Sequence, residues 1–228
     1  MHHRQMTTLA AAGMSLVLAA ALLAGCDAAA ATPAPSGPPA LPAGTYTSRA
    51  FQPPVTFTVP DGWWNPSDTA PFFALQSTAT SVTGIYLFRD PEPASQDPAC
   101  PDSAEPGVGT TSVALATWIR GLPGLSVSAP RIVTVGGLRG TEIDVAIAPE
   151  WTASCPYSSG LAAVPLFVDS DSDLIWTVAG SERLRLSLLD VPGGGTVVVD
   201  IDAFDGSLWD QILAAATPIV RSFVFGAP

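Results

Sequence analysis

The fold is decided by RLRLSLLDVPGGGTVVVDID, residues Arg183 to Asp202. Leu184, Leu186 and Leu188 alternate with Arg183, Arg185 and Ser187, while Val197, Val199 and Ile201 alternate with Val198, Asp200 and Asp202. A two-residue period on both sides of a Pro/Gly-rich break predicts an antiparallel hairpin. A turn near Pro192-Gly193 sets Arg185 opposite Asp200 and Arg183 opposite Asp202; a turn centred on Gly193-Gly194 sets Arg185 opposite Asp202. Either register puts the aliphatic side chains on one buried face and the charges on the other. The expectation is therefore a row of Arg–Asp cross-strand pairs. As a solvated face each pair is worth about 0.2–1 kcal/mol; as a functional face it is a platform for a ligand or partner.

Working outward, residues 44–228 read as one domain, long enough to bury a proper core. Val55, Phe57 and Val59 alternate with threonines in a strand that ends at Pro60-Asp61-Gly62. Phe72 to Gln76 and Gly84 to Phe88 are further strands, followed by a Pro-rich acidic loop from Asp90 to Gly109. Thr111 or Ser112 caps a helix running through Arg120, with Val113, Ala116, Ile119 and Leu122 on its apolar side and Gly121 at its end. Ser126 to Val135 and Leu138 to Ile147 form a hairpin around Gly136-Gly137, and Val164 to Val168 and Leu174 to Val178 are strands. Ser207 caps a last helix whose stripe is Leu208, Ile212, Ala215, Ile219 and Val220, and Pro218 should bend it or end it early. Phe223-Val224-Phe225 follows as a short extended tail. This order is α+β: an antiparallel β-sheet with a few packed helices.

The N-terminus has a different character. Leu9 to Ala24 is an apolar run of 16 residues. A membrane-spanning helix needs about 20, whereas this length behind a short basic start suits a secretory signal. Leu23-Ala24-Gly25-Cys26 resembles the lipobox of bacterial lipoproteins. That resemblance implies removal of residues 1–25 and lipidation of Cys26, against the alternative of an ordinary signal with a chance cysteine. Residues 26–43, almost all Ala, Pro, Ser, Gly and Thr after Asp27, read as a disordered tether reaching up to ~50 Å. The absence of Lys and heavy use of Ala, Gly and Pro resemble actinobacterial secreted proteins. The implied location is the outer side of the plasma membrane, with the membrane as partner through the lipid on Cys26.

Beyond Cys26 the chemistry is best bounded by exclusion. Both histidines, His2 and His3, lie in the signal, so the chain after Cys26 has no His and no Lys. That excludes Ser-His-Asp and Cys-His sites, a His-ligated zinc and a lysine Schiff base. No GxGxxG or GxxxxGK[ST] phosphate loop is present, and no cofactor is implied. With eight Arg against 20 Asp plus Glu, this part carries a net charge of −12, which argues against nucleic acid and anionic lipid as direct partners. Cys100 and Cys155 remain as an even pair in an oxidising compartment and read as a disulfide. A metal or redox pair is the alternative, but histidine partners and CxxC spacing are both missing.

Asp169-x-Asp171-x-Asp173 is a weak calcium candidate. An EF-hand needs Gly next and an acid at position 12, where this chain has Leu174 and Gly180, so a solvated turn is the default. Of six tryptophans, Trp176 and Trp209 suit a core, while Trp64 and Trp151 are candidates for exposed ligand or partner contacts. Arg183, Arg185, Asp200 and Asp202 of the hairpin join them as candidate contacts.

Val55-Thr56-Phe57-Thr58-Val59-Pro60-Asp61-Gly62-Trp63, Gly136-Gly137-Leu138-Arg139-Gly140 and Ile219-Val220-Arg221-Ser222-Phe223 resemble stretches of the PsbP-like superfamily, to which LpqN-type lipoproteins are similar. The resemblance implies an α-β-α sandwich and an accessory or interaction role, with no catalytic residues carried over. The leading functional expectation is a surface-tethered, non-catalytic binding domain for a protein, glycan or small apolar ligand. The alternative is a carboxylate-dependent cell-wall hydrolase, which a cleft with two acids about 5–9.5 Å apart would favour.

Overall fold

The computed structural model describes residues 39–79, 83–169 and 174–227. The lipobox with Cys26, most of the tether, and Asp171 and Asp173 lie outside them. In chain order the elements are β1 (Gly44–Thr47), β2 (Val55–Val59), β3 (Trp63–Asp68), β4 (Phe72–Ser77), β5 (Gly84–Arg89), β6 (Glu92–Pro93), α1 (Ser112–Gly121) and β7 (Leu125–Val127). There follow β8 (Arg131–Val135), β9 (Leu138–Ile147), β10 (Ala163–Asp169), β11 (Leu174–Ala179), β12 (Arg183–Asp190), β13 (Thr196–Ala203), α2 (Trp209–Arg221) and β14 (Val224–Phe225).

An eight-stranded antiparallel sheet runs β3-β4-β5-β13-β12-β9-β7, with β8 also on β9. Two three-stranded sheets, β1-β2-β14 and β11-β10-β6, complete the strands. On one face of the large sheet, Leu75, Leu87, Val199 and Ile201 pack with Phe57, Ile212, Ala216 and Ile219, so α2 and β2 form the cover. On the other, Leu184, Leu186, Leu188 and Val198 pack with Leu115, Ile119, Leu166 and Val178, so α1, β10 and β11 form the cover. The fold is thus α+β, with its helices on opposite faces of an antiparallel sheet. Among the described residues no helix is long and apolar enough to cross a membrane.

The central hairpin departs from expectation in register. Arg185 lies opposite Ile201 and Leu186 opposite Asp200, and the last pair before the turn is Asp190 with Thr196. Residues 191–195 are left as a five-residue connection centred on Gly193. An odd loop pairs odd positions with odd ones, so the arginines share a face with Val197, Val199 and Ile201, and the aspartates share one with the leucines. Gly193, Gly194 and Gly195 all have positive φ, at 90°, 117° and 86°, a backbone path that glycine follows without strain. A Cβ at Gly195 would also run into the Asp90 carboxylate. The expected Arg–Asp cross-strand pairs therefore do not form, and β13 presents no solvated face: every one of its residues is buried.

Other differences have local causes. Pro66 concealed β3, an edge strand with a bulge between Trp64 and Ser67; the Asn65 side-chain amide donates to the Ser67 and Ala74 carbonyls at 2.8 and 2.6 Å. Ser128-Ala129-Pro130 splits the expected Ser126–Val135 strand into β7 and β8, both paired with β9. Helix α1 is capped by Thr111 as expected, but Leu115 is buried and Val113 is 62% exposed. Asp205, not Ser207, caps the 3-10 turn Gly206–Leu208 that leads into α2, and Ala216 replaces Ala215 in the buried stripe. Helix α2 continues through Pro218 to Arg221, with Pro218 and Ala214, four residues earlier, both on its exposed side.

Candidate functional site

The inverted register carries Asp200 and Asp202 into the interior, on the face covered by β10 and β11. Asp200 is 0% exposed and Asp202 3%. Glu182, just ahead of β12, joins them at 5% exposure, and its carboxylate accepts the Ala179 N–H at 2.7 Å. Trp176 on β11 donates its indole N–H to Asp200 Oδ2 at 2.9 Å. On β5, Tyr86 lies opposite Asp200, and its hydroxyl accepts from Gln76 Nε2 at 2.8 Å. Asp200 Oδ1 and Asp202 Oδ1 are buried with no hydrogen-bond partner.

Phe72, Gln76, Tyr86, Trp176, Glu182 and Asp202 line an open pocket of about 480 Å³, with the exposed Tyr157 and Phe204 at its rim. The aromatic lining is contiguous: Trp176 lies 4.6 Å from Tyr86 and 6.2 Å from Phe72, centroid to centroid, and is backed by the buried Phe88 at 5.0 Å. The pocket therefore has aromatic sides and an acidic floor.

Electrostatics follow from burial. Desolvation, opposed by the Ala179 and Asp202 hydrogen bonds, raises the Glu182 carboxyl to about 7. Asp200 is pushed well above the carboxylate range by burial and the charge of Glu182, against the Trp176 hydrogen bond. Asp202 is raised likewise by burial, Glu182 and Asp200. Burial, then the charge of Asp202, lifts the Tyr86 phenol above its ordinary value. Among the described residues no arginine forms an ion pair with Glu182, Asp200 or Asp202. Burial thus favours the protonated form of these acids, and no counter-charge among the described residues opposes it.

The other sequence candidates lie elsewhere. Arg185, on the α2 side, makes a two-pronged pair with Asp144 at 2.7 and 3.0 Å, and Arg183 stacks over Trp209 at 4.7 Å. Trp64 is half-buried, and half-buried Trp151 donates to the Ala163 carbonyl at 3.0 Å. Cys100 and Cys155 form the expected disulfide, Cα–Cα 5.7 Å, joining two loops. Sequence reading missed Phe72, Gln76, Tyr86, Trp176 and Glu182 as site residues. A signal was present: Val198 is apolar at the same parity as Asp200 and Asp202, which marks that face as buried.

No family model matches the chain, and no curated protein matches it. Among solved structures it is similar to the solution structure of cyanobacterial PsbP (CyanoP) from Synechocystis sp. PCC 6803, at 10% identity and a TM-score of 0.40, covering 81% of this chain and 94% of that one. Nothing about function follows at that level of similarity.

Proposed function

We propose that the chain is a lipid-anchored, non-catalytic binding domain, held outside the plasma membrane by Cys26, whose aromatic pocket takes a small ligand. The observation that carries the reading is the open pocket walled by Phe72, Tyr86 and Trp176. The alternative, a carboxylate-dependent hydrolase, would in this pocket draw on Glu182 and Asp202, the two acids that line it.

Native mass spectrometry of the full chain purified from its own cell tests both halves. The expected spectrum shows an acyl mass that Cys26→Ser removes and a small-molecule adduct that Trp176→Ala removes. An unmodified Cys26, or an adduct indifferent to Trp176, would count against the corresponding half.

A further inference from the structure

We propose, resting on the binding reading, that this pocket recognises a primary ammonium group carried on an apolar or aromatic body. Asp200 Oδ1 and Asp202 Oδ1 are buried acceptors without donors, and Asp202 lines the pocket. A primary ammonium supplies three N–H donors and no acceptor, which is the complement of ionised carboxylates. The aromatic lining of Trp176, Tyr86 and Phe72 suits a cation, which ring faces attract, better than an anion. A quaternary ammonium would match the charge but leave the carboxylate oxygens without donors. A metal ion is a poorer match, since among the described residues no three acidic, histidine or cysteine side chains are grouped to hold one.

Proton linkage gives the site a distinctive behaviour. The titratable groups facing it are Glu182 and Asp202, Asp200 behind Trp176, Tyr86 on β5 and Tyr157 at the rim. Burial favours the protonated acids in the free protein, whereas a bound ammonium favours ionised ones, so below about pH 7 binding is coupled to proton release. Affinity should therefore rise with pH. With Glu182 near 7, the gain between pH 5.5 and 8.5 is on the order of 30-fold from that group alone.

The test titrates the full chain, in a neutral detergent and amine-free buffer, with benzylammonium, benzyl alcohol, tetramethylammonium and calcium at both pH values. The expected result is benzylammonium binding that strengthens at least tenfold at the higher pH and exceeds every other probe. Glu182→Gln should flatten the pH profile, and Asp202→Asn should weaken benzylammonium at least tenfold more than it weakens benzyl alcohol, the ratio of the two reporting the loss of the charged contact. Equal binding of alcohol and ammonium overturns the ammonium inference and leaves the binding reading standing. Preference for tetramethylammonium or calcium overturns it too, as does no binding by any probe, in which case the binding reading rests on its own adduct measurement.

Discussion

The two faces of the central sheet handle charge in opposite ways. Under α2, Arg185 is held by Asp144 and approaches Glu142, which in turn binds Arg131 at 2.7 Å. Beneath β10 and β11, Glu182, Asp200 and Asp202 are more deeply buried and, among the described residues, have no cation. The strands β12 and β13 contribute to both faces, so the difference does not come from separate domains. A buried charge with its partner is an ordinary structural solution, whereas buried carboxyls without a cation favour the protonated form, cost stability once ionised and mark a candidate site.

The largest expected effect concerns the cover of the acidic face. Replacing Cys100 and Cys155 together by serine opens a 55-residue loop next to β10 and should cost about 4 kcal/mol, measured by denaturant unfolding. The next effect is pH-dependent. Below pH 4.5 Glu182 is protonated in both folded and unfolded chains; between 4.5 and about 7 only the unfolded chain ionises, so stability falls as pH rises. The loss levels off above 7 at about 3 kcal/mol for this group, and Glu182→Gln should abolish it. The smallest effect belongs to the paired face. Asp144→Ala leaves Arg185 without its main partner and should cost about 1–2 kcal/mol, discounted for the solvent that still reaches it. If Asp144→Ala destabilised more than the acidic face does at high pH, the contrast between the faces would fail.

Most strands and both helices were legible because their periodicity is local. The register of β12 and β13 was not, because two glycine-turn lengths fit the same alternation and only the structure shows the odd one. Asp200 and Asp202 were singled out, yet for a solvated face they do not occupy. Tyr86, Trp176 and Glu182 were invisible as a set, since they meet only through pairings between strands far apart in sequence. Pro66 sits at the bulge of an edge strand that the pattern does not announce, and Pro218 did not end its helix, which continues to Arg221.

The five-residue turn from Val191 to Gly195 has an evolutionary consequence. Substitutions along β13 alter the pocket gradually, but a single-codon deletion or insertion in the turn acts all at once. It would exchange the inner and outer residues of the strand, bring the aspartates beside the arginines, and erase the acidic floor while every lining residue remained in the gene.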